Sequence, residues 1–135
     1  MLQQSTFKFL SSLKKNNNRD WFLANKKDYE SAKKDFEVLA QKIINGISAF
    51  DKKFAGLEAK NCIFRINRDV RFSHDKSPYK TNMGANISPG GKKSEGACYY
   101  IHAEPGGSFI AGGMFIPEPD KLKAVREDII YDPTT

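Results

Sequence analysis

The chain has 135 residues, 39% hydrophobic and 28% charged, enough to bury about two-thirds of its unfolded surface in one core and too few for two. Its uninterrupted apolar runs are only a few residues long, against the roughly 20 of a membrane helix, and its N-terminus lacks the apolar segment of a signal peptide. A single cytoplasmic domain over residues 1–135, with no membrane association, is therefore expected. The net charge of +6 is uneven: residues 1–80 hold 17 Lys/Arg against 9 Asp/Glu, and residues 81–135 hold 5 against 7. That imbalance favours anionic partners.

Ser5 or Thr6 is placed to cap a first helix with Phe7, Leu10 and Leu13 on one stripe, ending at Asn16, Asn17 and Asn18. Asp20 then caps a turn holding Trp21 and Phe22. From about Lys26, Tyr29, Ala32, Phe36, Leu39, Ala40, Ile43 and Ile47 recur at three and four, which predicts a long amphipathic helix ending between Gly46 and Ala49. The period then changes. Cys62, Phe64, Ile66, Val70 and Phe72 alternate with polar residues, as in a half-buried strand interrupted at Arg68. Three more strands are expected at about 82–88, 97–104 and 108–116, joined by Pro/Gly connections that suit antiparallel hairpins. Pro119 opens a last helix with Leu122, Val125 and Ile129 as its stripe. Helices followed by a meander predict an α+β fold: N-terminal helices on a mostly antiparallel sheet, then a C-terminal helix.

Residues 65–80 pack five cations and two carboxylates into sixteen positions. If residues 65–71 are extended, Arg65, Asp69 and Arg71 share a face on which side chains at alternate positions lie about 7 Å apart. Asp69 could then hold one guanidinium while the other stays free to grip a phosphate or carboxylate. Ser77-Pro78-Tyr79 reads as a turn, which would aim Lys76 and Lys80 from a loop. Arg65, Arg68, Asp69, Arg71, Asp75, Lys76, Tyr79 and Lys80 are accordingly the candidate ligand-binding residues. The alternative is an internal ion-pair lattice that braces the loop of a non-enzymatic interaction module. His102 shares a strand face with Tyr100 and Glu104 and is the candidate for proton transfer, though a histidine merely satisfied by its neighbours is the plainer reading.

Other chemistries fare worse. Ser73, His74 and Asp75 are consecutive, so their side chains diverge and cannot form a hydrolase triad. Gly90-Gly91-Lys92-Lys93-Ser94 lacks the spacing and the hydroxyl of a phosphate loop. Gly112-Gly113 marks a bulge or a close approach. Two histidines, and two cysteines 36 positions apart, give no metal-ligand spacing, and no cofactor motif is present. Cys62 and Cys98 are expected as free thiols. Nucleic-acid binding is the weaker reading of the charge, because most aromatics fall on core stripes and no recognition motif appears.

Several motifs together resemble a known family. They are Phe7-x-Phe9-Leu10-x-x-Leu13, then Asn17-x-Arg19-x-Trp21-Phe22-x-x-Asn25-Lys26-x-x-Tyr29. Next comes Phe64-Arg65-Ile66-x-Arg68-Asp69-Val70-Arg71-Phe72-Ser73-x-Asp75-Lys76-Ser77-Pro78-Tyr79-Lys80-Thr81. Tyr99-Tyr100-x-His102 and Gly112-Gly113 complete the set. The resemblance is to the bacterial conserved hypothetical proteins grouped as domain of unknown function 2461, and it spans nearly the whole chain. It implies a bacterial cytoplasmic protein and brings no activity with it. It also implies longer relatives, of which residues 1–135 would form an N-terminal portion, and His74 stands where that family more often has Lys. The function expected is binding of a phosphate- or carboxylate-bearing small molecule through residues 65–80. No particular reaction or oligomeric state follows from the sequence.

Overall fold

A computed structural model describes residues 1–94 and 96–132. The N-terminal half is helical: α1 spans Gln4–Lys15, α2 Arg19–Ala24 and α3 Lys26–Phe50. Short 3-10 turns follow at Lys52–Phe54 and Ala59–Asn61. The strands β1 (Met83–Ile87), β2 (Cys98–Ala103) and β3 (Phe109–Gly113) form an antiparallel sheet in the order β1-β2-β3, and α4 spans Pro119–Tyr131. This is the α+β arrangement that the periodicities predict.

The stripe of α3 decides where the core lies. Ala32, Phe36, Ala40, Ile44 and Ile47 are all buried, and they face Phe9, Leu10 and Leu13 of α1. Across the sheet they are joined by Met83, Ala85 and Ile87 of β1 and by Ile101 and Ala103 of β2. These strand positions alternate, as one-sided burial of a pleated sheet requires. The register pairs Ala85 with Ile101 and Ile101 with Ile110 on this inner face. On the opposite face it pairs Gly84 with His102, Asn86 with Tyr100, Tyr100 with Ala111 and His102 with Phe109. No helix among the described residues is long and apolar enough to cross a membrane.

Several local expectations are corrected. Gln3, not Ser5 or Thr6, precedes α1, and Thr6 instead gives its hydroxyl to Asp35 of α3 at 2.6 Å. Asn18, not Asp20, caps α2, accepting from the Trp21 amide at 2.9 Å. α3 ends at Phe50, one residue past the expected range from Gly46 to Ala49. The strand expected from Cys62 to Phe72 is absent: two isolated bridges, Ile63 to Ala85 and Asn67 to Tyr79, are all the ladder it makes. Phe72 is 96% exposed there. The stripe of α4 buries no residue, and β3 is exposed on both faces. An apolar period marks a face without saying what covers it. Cys62 and Cys98 are free thiols.

Candidate functional site

Residues 62–81 form an irregular hairpin hung on the edge of β1. Its base is held by Phe64 N donating to Gly84 O at 2.9 Å and Asn86 N donating to Cys62 O at 2.9 Å. Its neck is held by Arg68 N to Pro78 O at 2.9 Å and Lys80 N to Ile66 O at 2.8 Å. Asn17, in the link between α1 and α2, clamps the neck from outside. Its Nδ2 donates to Tyr79 O at 2.8 Å and its Oδ1 accepts from Tyr79 N at 3.1 Å.

The tip is closed by its own charges. Arg68 Nη1 donates to Asp75 Oδ2 at 2.6 Å and to Ser77 O at 3.0 Å, and its Nη2 reaches Ser73 Oγ at 3.3 Å. Asp75 also accepts from the Ser77 hydroxyl at 2.6 Å and the Ser77 amide at 2.9 Å. Those two bonds, followed by Arg68, hold the Asp75 carboxyl down at about 2. Arg71 grips Asp69 with two guanidinium nitrogens, at 2.9 and 2.7 Å, in a largely exposed pair. Lys76 Nζ donates to Val70 O at 3.0 Å.

Between this hairpin and the outer face of the sheet lies an open depression of about 500 Å³. Arg68, Asp69 and Lys80 line it together with Phe64, Asn82, Gly84, Tyr100 and His102. Lys80 Nζ sits 5.5 Å from the centre of the Phe64 ring, a cation–π contact. Burial, and next the charge of Arg65, push the Lys80 ammonium below its ordinary range. No carboxylate among the described residues forms an ion pair with Lys80 or Arg65.

On the sheet side three side chains make a chain of bonds. Tyr100 Oη lies 3.1 Å from His102 Nδ1, and His102 Nε2 lies 3.2 Å from Glu104 Oε2. Phe109 of β3 stacks on the imidazole at 4.9 Å and 15°. Tyr100 leans across Gly84, where an added Cβ would come within 2.8 Å of its hydroxyl. Burial pushes the Tyr100 phenol up from its ordinary value. Tyr100 and Phe64 also border a neighbouring apolar trough of about 490 Å³, which continues to Phe109 and Phe115. Asn86 Oδ1, at the trough, is buried without a hydrogen-bond partner among the described residues.

The sequence-derived residues thus divide. Arg68, Asp69, Lys80 and His102 share the depression, with Arg65 close enough to act on both Lys80 and Asp69. Asp75 and Tyr79 line a second depression with Arg68 and Lys80, while Arg71 and Lys76 bond within the hairpin. Tyr79, read from the sequence as a ligand contact, is only 6% exposed and its ring stacks on Phe22 at 4.0 Å. That ring belongs to the core. Tyr100 and Asn82 also line the depression and are not among the sequence-derived residues; for Tyr100 the available signal is its shared strand face with His102. Among the described residues no cluster of His, Cys, Asp and Glu could hold a metal ion.

Fold and site together define an α+β protein with helices on one face of a three-stranded antiparallel sheet and a depression lined by cations on the other. The chain belongs to the conserved hypothetical protein family DUF2461, whose sequence pattern matches residues 5–135. No curated protein and no solved structure matches it.

Proposed function

We propose that the protein binds a small molecule bearing a phosphate or carboxylate group, held in the depression by Lys80, Arg68 and Asn82 with Arg65 alongside. Lys80 carries this reading. A part-buried ammonium beside a second cation, with no ion-pair partner among the described residues, is electrostatically unfavourable until an anion arrives. Arg68 adds a guanidinium already fixed in place by Asp75 and Ser77, so little side-chain freedom is lost on binding. The test is a titration of the ¹⁵N-labelled protein with inorganic phosphate, into the range where a millimolar site saturates. Amides around residues 80–84 and 100–102 should shift, and Lys80→Gln should abolish the shifts. Shifts confined to scattered surface lysines would sink the proposal.

A second reading, an interaction module in which residues 65–80 are a brace, draws support from the five bonds that tie Arg68 and Asp75 to each other and to Ser73 and Ser77. The two readings part at Lys80, whose ammonium the anion site requires for binding and which takes no part in the bonds of the brace.

A further inference from the structure

We propose that Glu104, His102 and Tyr100 form a proton relay that makes the Tyr100 hydroxyl, not the histidine, the reactive group of the depression. The argument begins at the imidazole. Both of its nitrogens are engaged, Nε2 with Glu104 and Nδ1 with Tyr100, and Phe109 covers a ring face. His102 therefore has no free nitrogen to offer a ligand. The carboxylate of Glu104 can only accept, so in the neutral ring the hydrogen sits on Nε2 and Nδ1 is left as an acceptor for the Tyr100 O–H. A carboxylate fixing the tautomer of a histidine that takes a proton from a hydroxyl is the geometry of an activated oxygen nucleophile.

Placement supports the same assignment. Tyr100 borders both the cationic depression and the apolar trough, and its hydroxyl sits over Gly84, which lines the depression. Gly84, opposite His102 in the register, leaves the space that the phenol occupies. Lys80 and Arg68 line the same depression as Tyr100, where they could hold the anionic arm of a substrate. The substrate class is an ester carrying a phosphate or carboxylate arm, and only that arm rests on the anion-binding proposal. Tyr100 Oη bonds to the ester carbonyl carbon while its proton passes to His102 Nδ1. The ester C–O bond then breaks and the departing alkoxide takes that proton back from Nδ1, leaving an O-acyl tyrosine. Water hydrolyses this to the free acid and regenerates the phenol.

The experiment offers the protein a carboxylate-bearing activated ester, mono-p-nitrophenyl glutarate, beside the neutral p-nitrophenyl acetate. The expected result is a nitrophenolate burst of about one equivalent per chain, with the acyl group mapped by mass spectrometry to Tyr100 among the five tyrosines. Tyr100→Phe removes the burst, and His102→Gln slows it by about a hundredfold, the usual scale of a general base. Gly84→Ala, which keeps every member of the relay but displaces the hydroxyl, does the same. Glu104 acts by positioning His102, so its test is spectroscopic. The ¹⁵N shifts of His102 should show Nε2 protonated, and Glu104→Gln should move the hydrogen to Nδ1. An acyl group on Lys80, a burst indifferent to Tyr100→Phe, or a parent imidazole protonated on Nδ1 would overturn the relay. Equal labelling of Tyr100 by both esters, without competition from phosphate, would leave the relay standing and remove the anion site.

Discussion

The rings of Phe22 and Tyr79 lie 4.0 Å apart and within 15° of parallel, which fastens α2 to the neck of the cationic hairpin. Tyr79 is buried, and its hydroxyl makes no hydrogen bond among the described residues. The ring should therefore count and the hydroxyl should not. Tyr79→Ala is expected to cost about 3–5 kcal/mol, as large aromatic truncations in cores do. Tyr79→Phe should leave both the melting temperature and phosphate binding unchanged. Loss of phosphate binding in Tyr79→Phe would return Tyr79 to the site.

Asn17 satisfies both backbone groups of Tyr79 at once. Asn17→Ala leaves a part-buried N–H and C=O without these partners, and each such loss costs about 1–3 kcal/mol. Asn17→Asp keeps the acceptor but sets a carboxylate oxygen against the Tyr79 carbonyl, so it should be nearly as damaging. Chemical denaturation measures both. Amide exchange should speed up at Arg68 and Lys80 in either variant, because the neck opens. A variant that melts like the parent would show the clamp to be ornamental.

That clamp also shows what a sequence discloses and what it hides. The stripe of α3 and the meander were legible because a buried face repeats with the period of its element. The run Asn16 to Asn18 reads only as a helix stop, since nothing local reveals that Asn17 meets a residue 62 positions away. Alternation suggested that Asp69 could pair with Arg65 or Arg71. The fold gives it Arg71; what alternation did not show is that the bent backbone turns Arg68 toward Asp75. The common face of Tyr100, His102 and Glu104 followed from strand period. That both imidazole nitrogens are occupied required the angles and distances of the fold.

Asp75 should write itself into the acid limb of stability. Its carboxyl is held at about 2, against an ordinary 3.8, by Ser77 first and Arg68 after it. Between those values the unfolded chain binds the proton that the folded chain refuses. The contribution of Asp75 is thus complete above about pH 4 and lost as pH falls through about 2. Asp75→Asn should flatten the melting temperature across that window and lower it above. Ser77→Ala should raise the Asp75 pKa seen by NMR. Asp69→Asn, which breaks an exposed local pair, should change little at any pH.

Lys80 makes the opposite prediction, and the sign follows from its surroundings. Burial and the neighbouring Arg65 disfavour its charged form in the fold, so the folded pKa lies below the ordinary 10.5. At neutral pH both states hold the proton and the folded state carries a constant electrostatic penalty. As pH rises toward 10.5 the folded lysine releases its proton before the unfolded one, so this penalty diminishes and stability rises with pH there. Lys80→Gln removes the ammonium along with its contact on Phe64. If the unpaired charge outweighs that contact, the melting temperature at pH 7 holds or rises, and the alkaline gain disappears. Phosphate should reproduce part of this effect in the parent by pairing with the ammonium, raising its melting temperature in proportion to occupancy, and should do nothing for Lys80→Gln. A Lys80→Gln protein that melts well below the parent, with phosphate giving equal help to both, would show that Lys80 serves structure through its contact on Phe64 and holds no anion.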